Sequence, residues 1–164
     1  MPTLHLGVLD VGYVQTESAP KRAPKRPRKG PHKAHAKKYQ NISTGDVAEI
    51  LESKYHPMEI FFEQHKEDIA ADLEGSLAGA LESLLMGAPP SLDAFGSATS
   101  QIEDRFKKFL SEKEMEGLGY PGVPTKAALM GVSHRFLHPY KKRPPRPSFI
   151  DTGLYQASFK SWVD

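Results

Sequence analysis

The chain has 164 residues, of which 38% are hydrophobic, with 14 prolines, 13 glycines and no cysteine. That length suits one domain plus an extension, while the low apolar fraction places a sizeable part of the chain outside any packed interior and the lack of cysteine excludes disulfide frameworks and thiolate metal sites. The net charge of +2 hides an asymmetry: nine of the 22 cations crowd between positions 21 and 38, whereas sixteen acids face six bases between Asp46 and Glu116.

The first residues, Met1-Pro2-Thr3-Leu4-His5-Leu6, lack the basic start and apolar run of a secretory signal, and no stretch approaches the roughly 18 apolar residues of a membrane span. A soluble, non-exported protein is expected. Leu4 to Val14 alternates in part around Gly7 and Gly12, which predicts a short N-terminal strand with a break. Such a strand has no local hairpin partner. We read Leu4, Leu6, Val8, Val11 and Tyr13 as a clasp onto a neighbouring subunit's sheet edge, with pairing inside the same domain as the alternative.

From Ala19 to Lys38 the chain is almost entirely Pro, Lys, Arg, Ala and His, too poor in apolar side chains to offset the entropy of ordering. Lys21, Arg22, Lys25, Arg26, Arg28, Lys29, Lys33, Lys37 and Lys38 form a basic arm. Each cation that meets a phosphate releases condensed counterions, with a salt slope of about 0.9 per phosphate. The arm therefore reads as a contact for nucleic acid or for the acidic surface of a neighbouring subunit, or else as a solvated linker.

Structure is expected to begin near Thr44, where Asp46 with Glu49 resembles a capping box and Val47, Ile50, Leu51 and Tyr55 recur at helical spacing. Pro57 either kinks that helix or starts another. From Met58 to Leu85 apolar residues keep a 3.6 period, predicting a helix from Pro57 to Met86, about 45 Å long. Ser100 with Glu103 suggests a further capping box, for a helix ending near Gly117. Thr125 to Leu137 reads as a short helix. Pro139 to Pro147 has polyproline character and leads to a strand at Ser148-Phe149-Ile150. After the Asp151-Thr152-Gly153 turn, a helical turn followed by a strand is expected, with Phe149, Ile150 and Trp162 anchoring a terminal sheet and its subunit contacts.

The acids of the long helix are most simply a solvated face. No histidine pair completes the His-Glu-x-x-His pattern of a zinc helix, since His134 and His138 lie one turn apart but lack a flanking acid on the same face, and neither a phosphate loop nor a nucleophile elbow is present. Asp-Thr-Gly is also the loop signature of aspartic proteases, whose two carboxylates share a proton, but only eleven residues follow Gly153. A turn in which Asp151 bonds backbone amides and Gly153 supplies a positive φ is the reading adopted. No enzyme activity, metal or cofactor is expected.

The run from Arg146 through the Asp151-Thr152-Gly153 turn to Trp162 resembles the closing segment of the neck and tail-completion proteins of tailed bacteriophages. The stretch from Gly119 to Arg135 is similar to the glycine-rich segment and short helix that precede that turn. In this resemblance, which covers roughly Asp46 to Asp164, the long helix starting near Asp46 takes the place of the family's N-terminal helix. The resemblance implies an α+β subunit of a virion ring at the head–tail junction, assembled in the host cytoplasm. Its partners would be further copies, the connector and tail proteins, and genomic DNA in the channel, with no membrane. The expected organisation is an extended strand at 1–18, a basic Pro-rich arm at 19–43, and an α+β domain at 44–164 with long helices and a small antiparallel sheet.

Overall fold

In the computed structural model, which describes residues 2–13, 42–91, 93–132 and 144–164, the chain is an α+β fold of helices on a two-stranded antiparallel sheet. Helix α1, Thr44–Tyr55, starts where expected, but its cap lies one turn earlier than the Asp46/Glu49 pattern suggested. The Ser43 hydroxyl accepts the Asp46 amide at 3.2 Å, and the Asp46 carboxylate accepts the Ser43 amide at 2.9 Å. This reciprocal box satisfies two amides at the helix start, so Asp46 is its acidic member rather than its cap.

Pro57 starts a new helix, α2, Pro57–Leu85. His56 separates the two helices with a left-handed φ of 51°, and both oxygens of Glu52 accept amides from the first turn of α2, Met58 and Glu59, at 3.1 Å each. The carboxylate meets amides that have no partner within the helix and the positive end of its dipole. Helix α3, Gly96–Ser111, returns antiparallel to α2. Ser76 bonds the Ala94 carbonyl at one end of this hairpin, Arg105 bridges Asp68 at 3.1 Å and Asp72 at 2.7 Å midway, and His65 reaches Glu114 at 3.1 Å at the other.

The expected Ser100/Glu103 cap does not form, because α3 has already begun at Gly96. The Ser100 hydroxyl donates back to the Gly96 carbonyl at 2.9 Å, and Glu103 instead pairs with Lys160 at 2.7 Å. Nor does α3 run unbroken to Gly117. Lys113 takes a φ of 62°, and a single turn, α4, Glu114–Gly117, follows. Helix α5, Lys126–Leu129, is capped by Thr125 and is shorter than the predicted 125–137 helix, since Gly131 turns the chain with a φ of 61°; residues 133–137 lie outside the described residues, as do 139–143 of the proline-rich passage.

The strand predicted at Ser148-Phe149-Ile150 is a turn. Phe149 has a φ of 67°, incompatible with extended backbone. Ser148 is pinned there by two bonds: its amide donates to Glu116 at 2.7 Å, and its hydroxyl accepts the Thr125 amide at 3.1 Å. Beyond Gly153 the expected order holds, with α6, Leu154–Ser158, leading into the C-terminal strand, Phe159–Val163.

The N-terminal strand β1, Leu4–Val8, pairs antiparallel with that C-terminal strand, β2, of its own chain, from Leu4 opposite Val163 to Val8 opposite Phe159. The clasp reading of Leu4, Leu6 and Val8 is thereby corrected: their side chains join the chain's own core. The reason is apolar complementarity. Phe159 and Ser161 are the buried members of β2, facing α3, and the alternate residues of β1 extend that row at the period of a pleated strand.

The core is largely aromatic. Phe61, Phe106, Phe109 and Phe159 are fully buried; Phe106 stacks on Phe159 at 3.9 Å and meets Phe61 edge-on at 5.2 Å, arrangements that add to plain area burial. No helix among the described residues is long and apolar enough to cross a membrane.

Candidate interaction surfaces

Helix α2 is 29 residues long and α3 is 16. Because Ser76 already lies opposite Ala94 and Ser97, the last nine residues of α2 run on past the start of α3 for about 14 Å. The apolar period persists along this overhang. Leu77, Leu81, Leu84 and Leu85 are exposed by 44, 53, 48 and 87%, and Met86 by 84%. Between residues 75 and 91 the sole charge is Glu82. An apolar stripe normally faces a core; along this stretch it faces out.

A second surface is the outer edge of β1. Thr3 and Asp164 exchange backbone bonds at 2.7 and 3.1 Å, and the Leu9 amide donates to Ser158 at 2.8 Å. Antiparallel alternation then directs the amides and carbonyls of Leu4, Leu6 and Val8 away from β2. Neither the backbone nor any side chain among the described residues bonds them. The corresponding side of β2 is covered, since Ser161 bonds α3 through its amide to Glu103 at 3.4 Å and through its hydroxyl to Thr99 at 3.0 Å.

The other expected interface residues separate into two groups. Phe149 and Ile150 are half-buried against the core, and Phe149 meets the Tyr55 ring at 5.2 Å; they brace the helical side rather than the sheet. Trp162 lies in β2 but points outward. Its indole stacks on His5 at 5.3 Å and covers Gly7, where an added Cβ would come within 3.1 Å of the ring. His5 also bonds Asp164 at 2.8 Å. Val11 is exposed, and Tyr13 is half-buried with its amide bonded to Ile42 at 3.2 Å. The nine arm cations, Lys21, Arg22, Lys25, Arg26, Arg28, Lys29, Lys33, Lys37 and Lys38, lie outside the described residues.

The Asp-Thr-Gly segment is a structural turn. Gly153 has a φ of 79°, a conformation that glycine adopts without steric cost, and the Thr152 hydroxyl accepts the Leu154 amide at 3.3 Å. Asp151 lies 3.4 Å from Arg146, whose guanidinium also bonds the carbonyls of Ile150 and Val132. The guanidinium thus ties the entry of the turn to the α5 side of the domain. The carboxylate balances that cation, which differs from the shared-proton pair of a protease.

Glu52, His56 and Glu59 bring three ligand-type atoms within 4.8 Å of one another, beside a cleft of about 330 Å³ walled by Tyr55, Ile60, Tyr120 and Pro121. Both Glu52 oxygens are engaged in capping α2, and His56 is 3.0 Å from Glu59. These contacts account for the cluster as a helix junction. Sequence reasoning missed the open edge and the overhang, because periodicity identifies an apolar stripe without revealing what covers it. The chain matches no family model, no curated protein and no solved structure.

Proposed function

We propose that this chain is a structural, non-enzymatic virion subunit of a tailed bacteriophage. It assembles into a closed ring at the head–tail junction, in a neck, tail-terminator or tail-completion position, and joins connector to tail. The observation that carries the reading is the bare end of α2. Its five large apolar side chains expose on the order of 600 Å² per copy, at the upper end of the largest apolar patch usual for a monomer. A tip that docks on a different patch of the next copy makes a heterologous contact, and heterologous contacts that close upon themselves form rings. The C-terminal segment supports the same reading, because the Asp151-Thr152-Gly153 turn directs the chain into the sheet rather than into a catalytic cleft.

The reading is tested by native mass spectrometry of the full chain, alone and mixed with connector and tail proteins. Wild type should form a discrete closed oligomer, while Leu81→Glu with Leu85→Glu should keep the fold and lose the oligomer. Equal assembly of the double variant would rule out the overhang as the ring contact.

The competing reading, a nucleic-acid-binding or DNA-packaging accessory protein, is favoured by the run of cations from Lys21 to Lys38. It requires tight duplex binding by the isolated chain, falling steeply with salt. An electrophoretic salt series on the double variant separates the two, since that variant should retain duplex binding under the competing reading.

A further inference from the structure

The geometry points to a second, two-fold contact. β1 pairs through its open edge with β1 of another copy, joining two sheets into one of four strands in the order β2, β1, β1, β2. This contact goes beyond the ring reading and involves no residue of the α2 overhang.

Three features identify the occupant as a second copy. The residues with outward amides and carbonyls, Leu4, Leu6 and Val8, are arranged symmetrically about Leu6. An antiparallel register centred there sets Leu6 against Leu6 and Leu4 against Val8 of the second copy, and every outward group finds a partner in hydrogen-bonded pairs. The side chains are also self-complementary. Leu4, Leu6 and Val8 pack against the core, so the apolar row continues from one copy to the next. His5 falls opposite Gly7, which carries no side chain, so no like charges meet. Finally, the strand carries none of the residues that block such pairing, with no lysine, proline or bulge between Leu4 and Val8. Pro2, without an amide hydrogen, ends the ladder just beyond Leu4.

The absence of cysteine from the chain makes the register directly testable. In this pairing the two copies of residue 6 have Cα atoms about 5.5 Å apart, within the range that a disulfide bridges. The two copies of residue 4 are about 13 Å apart along the strands. The full-length Leu6→Cys variant should therefore form a covalent dimer under mild oxidation, whereas Leu4→Cys alone should not. A mixture of Leu4→Cys and Val8→Cys should give the mixed dimer. Leu6→Pro removes one outward amide and no β1–β2 bond, so in the Leu81→Glu/Leu85→Glu background, which lacks the ring contact, it should shift sedimentation from dimer to monomer with an unchanged circular dichroism spectrum. Leu6→Cys and Leu4→Cys cross-linking equally, or the Leu81→Glu/Leu85→Glu variant sedimenting as a monomer at about 100 μM, a concentration that populates any pair of micromolar or tighter affinity, would overturn the proposal. The cross-linking result is independent of whether Leu6→Pro folds. Repeating it with Leu81→Glu and Leu85→Glu present distinguishes loss of the ring from loss of this pair.

Discussion

Phe106 shows how much a single side chain contributes here. It is fully buried, stacked on Phe159 and edge-on to Phe61, so Phe106→Ala removes both area and geometry and leaves a cavity. The expected loss is about 3–5 kcal/mol, read as a lower urea midpoint with an unchanged slope. Gly153 poses a backbone question instead. Its φ is 79° and nothing lies within 4 Å of an added Cβ, so Gly153→Ala tests strain without a clash. The expected cost is about 1–2 kcal/mol, and a neutral result in the same titration would mean the turn relaxes. Asp10 concerns charge. The Ser43 hydroxyl and the Gly45 amide hold its carboxyl below the usual carboxylate range. A depressed folded value stabilises the fold at neutral pH and loses that contribution as pH falls through it. The stability difference between wild type and Asp10→Asn should therefore be full at neutral pH and shrink in acid; a difference that stays constant down to about pH 2 would assign the effect to something other than ionisation.

Among the elements, α2 was the most legible, because its 3.6 period and its proline at the first helical position are local signals that act within one or two turns. Its ends therefore came out within a residue of the prediction, Pro57–Leu85 against Pro57 to Met86. The caps were less legible. Both Ser43 with Asp46 and Asp46 with Glu49 fit the box spacing, and nothing local says which will close. The residues from Ser148 to Ile150 look extended, yet Glu116 and Thr125 hold Ser148 in a turn, a tertiary override that propensity does not encode. The pairing of β1 left no signal near either strand, since its partner begins 151 residues beyond Val8. The coverage of α2 was invisible for a different reason: the same leucine period serves a buried face and a bare one. Leu81→Glu with Leu85→Glu replaces only exposed side chains, so it should change monomer stability by no more than about 0.5 kcal/mol while abolishing higher oligomers. Unfolding and native mass spectrometry on one preparation check both halves.

At the scale of the molecule, the two chain ends close the fold. Thr3 and Asp164 exchange backbone bonds, and Leu4, Leu6 and Val8 lean on a core built from α1, α2, α3 and β2. The N-terminal strand is therefore part of the body, in contrast to the separate extended strand at 1–18 that the sequence suggested. Removing residues 1–13 should cost roughly 3 kcal/mol, as three partly buried apolar side chains are lost, and should appear as a depressed melting temperature before any effect on assembly. Full retention of stability would return β1 to the role of an accessory strap. The same closure has a consequence for biosynthesis. At about 5–20 residues per second, β1 is made roughly 8–30 seconds before β2. Throughout that delay it has a partner-less edge on both sides, and the nearest strand of matching sequence is the one emerging from the next ribosome along the same message.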